Sequence, residues 1–156
     1  MDKKDLEILS LLQEDASAPL ATLAEAINLS STPCWRRIQK LQEDGVIQRQ
    51  VALCDPEQLN LGLTAFVAVR TNLHNREWTE RFVSGARDIP EIIEIYRMSG
   101  DIDYMLKVMV PDIRGYDEVY KKLIKVVDLF DVSSSFAMEV VKHTTALPLH
   151  YAHIKG

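Results

Sequence analysis

The sequence predicts an α+β chain made of two small domains. Three observations predict it. Helical periodicity recurs three times before residue 45. From about residue 63 the pattern changes to short strands alternating with helices. Between the two lies Cys54-Asp55-Pro56-Glu57, followed by Gly62, a run suited to a linker. The predicted division is 1–60, 61–142 and a tail at 143–156.

Composition narrows the class. The chain has 156 residues, 47% hydrophobic and 26% charged, which suits a globular protein. It has no apolar run of about 18 residues and no charged-then-apolar leader pattern, so a soluble, cytoplasmic protein with no membrane span is expected. Two cysteines, Cys34 and Cys54, are too few for a disulfide framework or a metal cluster, and a reducing compartment fits. The net charge of −5 argues against a surface that binds nucleic acid everywhere, but not against a local basic patch. Residues 1–50 hold six Lys/Arg against eight Asp/Glu, and three of those cations fall between Arg36 and Lys40.

The first helix is predicted from about Lys3 to Gln13, with Asp2 as its cap and Leu6, Ile8, Leu9 and Leu12 as its apolar stripe. Glu14 to Pro19 breaks the pattern. Leu20, Leu23, Ala24 and Ile27 then mark a short second helix, ended by Asn28, a residue that tolerates the left-handed conformation. Ser30 opens the third. There Cys34, Ile38 and Leu41 form an apolar keel, Arg36, Arg37 and Lys40 lie on the opposite or flanking face, and Gly45 supplies the stop. Such a helix taken alone is equally an ordinary amphipathic helix with a solvated charged face. A short helix, a tight turn and a cationic helix braced by a preceding one make a helix-turn-helix. Val46 to Leu53 is β-like and is expected as a small wing or connecting strand, where Arg49 can add a phosphate contact.

The second half reads β-α-β-β-α-β, the ferredoxin-like order. Strands are predicted at Leu63–Thr71, Ile92–Met98, Asp103–Val110 and Val132–Val141. One helix spans Arg76–Asp88 and carries Trp78, Phe82 and Ala86. The next is capped by Asp112, with Ile113, Tyr116, Tyr120, Leu123, Ile124 and Val127 as its stripe. Both helices should cover one face of an antiparallel sheet. Phe66, Met105, Met109 or Phe136 would then remain on the other, so a homodimer is expected. The tail carries no periodic pattern and is free to reach a neighbouring subunit.

These residues resemble a known family. Leu29-Ser30-Ser31-Thr32-Pro33-Cys34-Trp35-Arg36-Arg37-Ile38-Gln39-Lys40-Leu41, then Gly45-Val46-Ile47, is similar to the Lrp/AsnC, or feast/famine, transcriptional regulators. Ser99-Gly100-Asp101-Ile102-Asp103-Tyr104 resembles that family's turn, and Ser134 to Glu139 its last strand. The likeness covers nearly the whole chain in order. It implies a winged helix-turn-helix DNA-binding domain and a C-terminal domain that senses a free amino acid and assembles dimers into tetramers or octamers. Asp55-Pro56-Glu57 and Lys142-His143-Thr144-Thr145 resemble the branch that includes cysteine-responsive regulators. The sequence departs from the family at Asn28, where glycine is commoner, and at Cys54, where a plain aliphatic residue is expected.

Candidate DNA-binding residues follow. Arg36, Arg37 and Lys40 suit guanine edges and phosphates. Ser31, Thr32 and Pro33 lie at the helix start, where they cap, approach the groove, or do both. Trp35 either stacks on the DNA backbone or fills a seam between helices. Cys34, on the keel, reads as a packed small hydrophobe. The candidate effector residues are Met98, Gly100, Asp101, Asp103, Tyr104, Ser133, Ser134 and Ser135. On the residues alone, Gly100 to Tyr104 is a hairpin turn. The resemblance implies a cleft for an amino acid. Asp101 or Asp103 would accept from its ammonium, turn N–H groups and the serine hydroxyls would donate to its carboxylate, and Met98 and Tyr104 would line the pocket.

Enzyme chemistry has little to stand on. Asp101 and Asp103 are paired carboxylates, and His150 and His153 have metal-like spacing, but nothing completes either site. No Gly-rich phosphate loop or nucleophile elbow occurs. No cofactor or metal is expected. The function read from the sequence is an amino-acid-responsive transcription factor on a roughly palindromic double-stranded site. The alternatives are a ligand-independent DNA-wrapping protein and a metabolite-binding module that acts on an enzyme.

Overall fold

The structure is a computed structural model and describes residues 1–154. Its contacts divide the chain into two compact units, Met1–Ala52 with Lys142–Gly156, and Leu53–Val141. The first break falls ahead of the expected 60/61. The chain from Lys142 onward belongs to the N-terminal unit and is not a separate tail; residues 155 and 156 of that tail lie outside the described residues.

Three helices build the N-terminal unit: α1 (Lys3–Glu14), α2 (Leu20–Ala26) and α3 (Ser31–Glu43). Asp2 and Asp5 close a capping box on α1, with Asp5 N donating to Asp2 Oδ1 at 3.0 Å and Asp2 N to Asp5 Oδ2 at 2.8 Å. This satisfies two of the orphan donors at the helix start. Asn28 takes the left-handed conformation at φ +54°. Its own N–H reaches Glu25 O at 3.0 Å and that of Leu29 reaches Ala24 O at 2.9 Å, a paired bonding that closes α2 in a tight turn. Lys4 Nζ adds a charge-assisted bond to Ile27 O at 2.6 Å, where a cation suits the carbonyl end of α2. Ile8, Leu9, Leu23, Ala24, Ile27, Cys34 and Leu41 form the core, with Leu6, Leu12 and Ile38 packed around it.

One expectation for this unit needs correction. Val46–Leu53 forms no strand; after Ile47 N, which bonds Leu41 O at 3.0 Å, the segment is exposed apart from Ile47 and pairs with no strand among the described residues. β-propensity there is real, but a strand exists only against a partner. The tail packs on its own chain. Gln13 Nε2 donates to Leu147 O at 3.2 Å, Leu147 N donates to Gln13 Oε1 at 2.7 Å, and Leu149, in a short 3₁₀ turn (Leu149–Tyr151), packs against the three-helix core.

The second unit runs β1 (Leu63–Arg70), α4 (Arg76–Arg87), β2 (Ile92–Arg97), β3 (Tyr104–Val110), α5 (Ile113–Leu123) and β4 (Asp131–Phe136). The four strands form one antiparallel sheet in the order β2-β3-β1-β4, the ferredoxin-like topology. Ala65, Val67 and Val69 of β1 and Tyr104, Leu106, Val108 and Val110 of β3 alternate onto one face, where they meet Trp78, Phe82 and Ala86 of α4 and Val119 and Leu123 of α5. Trp78 stacks on Phe82 at 5.0 Å between ring centroids, and Phe82 packs on Tyr104 at 4.7 Å.

Three details differ from the reading of the sequence. The α5 stripe is turned: Val119 is buried, while Ile113, Tyr120 and Ile124 are exposed. β4 stops at Phe136 and does not run to Val141; Ala137 N makes its last bond to β1, and Met138 is 97% exposed. Phe136 faces α5 and not the open side, its ring edge-on to Tyr116 at 5.1 Å. The register Phe136↔Ala65 fixes this, because a residue opposite Ala65 shares its face. The open face therefore carries Phe66, Met105 and Met109, with Tyr96 on the strand beside them.

Candidate functional sites

The outer face of α3 is built by position. Cys34 and Leu41 are buried, which forces Ser31, Thr32, Trp35, Arg36 and Lys40 outward, onto the half of the helix away from the keel. Pro33 is exposed beside them. Ser30 occupies the cap position, yet its hydroxyl makes no capping bond, so the first-turn N–H groups of α3 have no side-chain partner there. Trp35 is 51% exposed and does not fill a seam between helices. Arg36 and Arg49 are exposed and have no ion-pair partner among the described residues. Lys40 reaches Asp44 Oδ2 at 3.1 Å, an exposed i,i+4 pair that holds it weakly.

Arg37 stands apart from the other candidates. Its Nη1 donates to Asp2 Oδ2 at 2.7 Å and to Asp5 Oδ1 at 2.7 Å, across from α3 to the first turn of α1. Both bonds are short and charge-assisted. The hydrogen bond from Arg37, then that from the Asp5 backbone, hold the Asp2 carboxyl below the ordinary range; the same pairing raises Arg37. The expectation put Arg37 on the outward face with Arg36. One step of about 100° along a helix separates the two, enough to turn it toward α1. No spacing in the sequence announces the partners, which lie more than thirty residues away. Cys34 is fully buried on the keel, and burial pushes its thiol up.

The second candidate site gathers at one end of the sheet. Met98 N donates to Asp103 O at 2.8 Å and closes the β2–β3 turn, in which Gly100 holds φ +104°, a conformation side chains disfavour. Met98, Gly100 and Asp101 are exposed there. The two carboxylates have different employment. Asp103 Oδ2 accepts from Thr71 N at 2.8 Å, and its Oδ1 lies 3.7 Å from His74 Nδ1, so this residue fastens the end of β1. Asp101 is exposed with no such partner among the described residues. Tyr104 is a core residue, in ring contact with Trp78 and Phe82; it also borders a groove of about 430 Å³ along α4 and β2, with Val83, Ile92 and Ile95.

Strand alternation divides the three serines. Ser134 faces α5, where its hydroxyl is hydrogen-bonded to that of Tyr116. Ser133 and Ser135 face the open side, opposite Ala68 and Phe66. The register sets Ala68 against Met105, so Ser133 lies at the same end of the sheet as the 98–103 turn. The three hydroxyls thus do not converge on one point. Thr71, buried and held by Asp103, belongs to this corner but has no signature in the sequence.

Comparison with known proteins covers both units. Residues 1–48 match the winged helix-turn-helix DNA-binding family and residues 64–147 the Lrp/AsnC ligand binding domain family. The chain is 49% identical over 150 residues to the DNA-binding transcriptional activator DecR of Escherichia coli K12, covering 96% of this chain and 99% of that protein. It is 49% identical to a glutamate uptake regulatory protein of Zymomonas mobilis, over 96% of this chain and 91% of that one. Among solved structures, an AsnC family transcriptional regulator from Agrobacterium tumefaciens superposes with a TM-score of 0.95 at 54% identity, covering 98% of this chain and all of that one. A transcriptional regulator from Neisseria meningitidis in complex with L-Met superposes at 0.92 with 34% identity, over 96% and 97% of the two chains.

Proposed function

The chain belongs to the Lrp/AsnC family of transcriptional regulators, and from that premise we propose a division of labour between its two units. The first turn of α3 reads DNA; the corner at residues 98–103 takes a free amino acid. One observation carries the first part. Ser31, Thr32, Trp35 and Arg36 are exposed over the first two turns of a helix whose N–H groups have no side-chain cap, and Lys40 continues that outer face into the last turn. A helix start offers donors and positive potential to phosphate, first-turn side chains meet base edges in the major groove, and the unpaired Arg36 carries the charge. Arg49 extends the phosphate contacts beyond α3.

For the effector, Asp101 is the acceptor for the ammonium, because Asp103 already holds Thr71. Turn N–H groups and the Ser133 hydroxyl serve the carboxylate. Met98 meets the side chain. Relatives are named for glutamate uptake and for leucine response, and one neighbour holds L-Met; Asp101, the turn N–H groups and Ser133 meet what all amino acids share, and Met98 meets what distinguishes them. The protein acts as a homodimer or a tetramer or octamer of dimers, with two α3 helices on half-sites about one helical turn apart and the operator roughly palindromic.

Arg36→Ala tests the DNA half. It should weaken binding to a duplex enriched from a random pool by the wild-type chain, and lower the salt slope by about one, the share of a single phosphate contact. Unchanged affinity and slope overturn the assignment. A thermal-shift screen of the twenty amino acids, cysteine included, tests the other half, since a ligand that binds only the native state raises its melting point. The ligand that does so should lose its effect in Asp101→Ala. A response that survives that change places the ammonium elsewhere, and no response to any amino acid favours a DNA-wrapping protein.

A further inference from the structure

We infer that Arg37, with Asp2 and Asp5, is a positioning residue that sets how α3 is presented to DNA, and not a DNA contact itself; this rests on the DNA reading above. The observation is a guanidinium nitrogen shared by two carboxylates from another helix, at 2.7 Å each. One cation between two anions, joined to the capping box that starts α1, ties the first turn of α1 to the second turn of α3. Nothing else polar links these two helices among the bonds the structure records for α3. The remaining contact is apolar, through Ile8, Leu9 and Cys34, and apolar packing is non-directional. Directional bonds at the helix start fix the rotation of α3 about its axis, which decides where Trp35 and Arg36 point.

The charge balance makes the inference testable by sign. Residues 1–50 carry two more acidic than basic side chains, and two of the acids are Asp2 and Asp5. A simple electrostatic account says that neutralising them tightens DNA binding, because repulsion of phosphate falls and Arg37 is released. A positioning account says the reverse. Asn keeps the cap and the shape, so the double variant Asp2→Asn, Asp5→Asn removes the charge of the fork with little else.

Binding is measured for the full chain on two duplexes, one enriched from a random pool by the wild-type chain and one of alternating, unselected sequence, across a series of salt concentrations. Melting of each variant is followed alongside, so that every titration is run on folded protein. The expected result is that the double Asn variant and Arg37→Ala each lose about tenfold on the enriched duplex, the scale of one misplaced base contact, and little on the unselected one. The salt slope of Arg37→Ala should stay at the wild-type value. A loss of stability alone moves both duplexes together, and a lost phosphate contact lowers the slope; neither gives this pattern.

If the double Asn variant binds the enriched duplex as tightly as wild type or tighter, or if Arg37→Ala lowers the salt slope by about one, the positioning role is overturned while the DNA reading stands. If the wild-type chain enriches no duplex, the DNA reading falls and takes this inference with it.

Discussion

Asp2 shows how one side chain serves two purposes. It caps α1 and it holds Arg37, and the second bond keeps its carboxyl below the ordinary 3.8. A carboxyl with a lowered folded value gives stability that is complete above the unfolded value and is lost as pH falls through the folded one. The window therefore lies below pH 3.8, and Asp2 adds no slope near neutrality. Thermal unfolding followed from pH 6 to pH 2 should show Asp2→Asn with a shallower acid limb than wild type. A parallel pair of curves would mean that Arg37 does not favour the ionised Asp2. The cysteines give a second residue-level outcome. Cys34 is fully buried with its thiol raised, whereas Cys54 is exposed. A thiolate reagent added to native protein at neutral pH should modify Cys54 promptly and Cys34 only in denaturant. Rapid reaction of both would place Cys34 at the surface.

At the scale of elements, α4 carries a demanding contact. A Cβ at Gly85 would lie 2.4 Å from Val126 Cγ1 and 2.8 Å from its Cγ2. Valine is stiff about χ1 and cannot swing away cheaply. Alanine in a helix normally gains about 1 kcal/mol over glycine, but overpacking here costs about 1–3 kcal/mol. Gly85→Ala should therefore destabilise the chain by about 1 kcal/mol net in denaturant unfolding. A gain in stability would show that Val126 yields. The same elements show what a sequence discloses. Alternation at Ala65, Val67 and Val69, and the Trp78, Phe82, Ala86 spacing, was legible because burial repeats with the backbone period. The capped starts at Asp2 and Asp112 and the left-handed Asn28 were legible because their chemistry is local. What depends on partners was not. The β-like segment Val46–Leu53 found no neighbouring strand, β4 lost its ladder after Ala137 bonded Thr64, and Arg37 found its carboxylates across a helix pair. Among effector candidates the turn at Gly100 could be read, but the split of Ser134 from Ser133 and Ser135 needed the register with β1.

For the molecule as a whole, the open face of the sheet is the surface on which the proposed dimer is expected to form. Phe66 is 41% exposed and Tyr96 is 52% exposed, with Met105 and Met109 between them on β3. Lys107 lies between the two methionines and is paired with Glu94 at 3.1 Å, and Ser133 and Ser135 border the face on β4. An apolar surface crossed by one internally paired charge suits a self-complementary two-fold interface. Phe66 sits on a central strand, β1, opposite Lys107, whose ammonium Glu94 already holds, so a carboxylate there would have to share that one cation when buried against a second copy of the sheet. Phe66→Glu should keep the fold, because its side chain points away from the helices, and should shift the chain from dimer to monomer by sedimentation at micromolar concentration. DNA binding should weaken with it. Two linked α3 helices gain from effective concentration about 10²–10⁴-fold over one, and a monomer forfeits that gain without losing any residue that touches DNA. A Phe66→Glu chain that sediments as wild type places the subunit contact on another surface. A monomer that still binds DNA at wild-type strength shows instead that one α3 is enough.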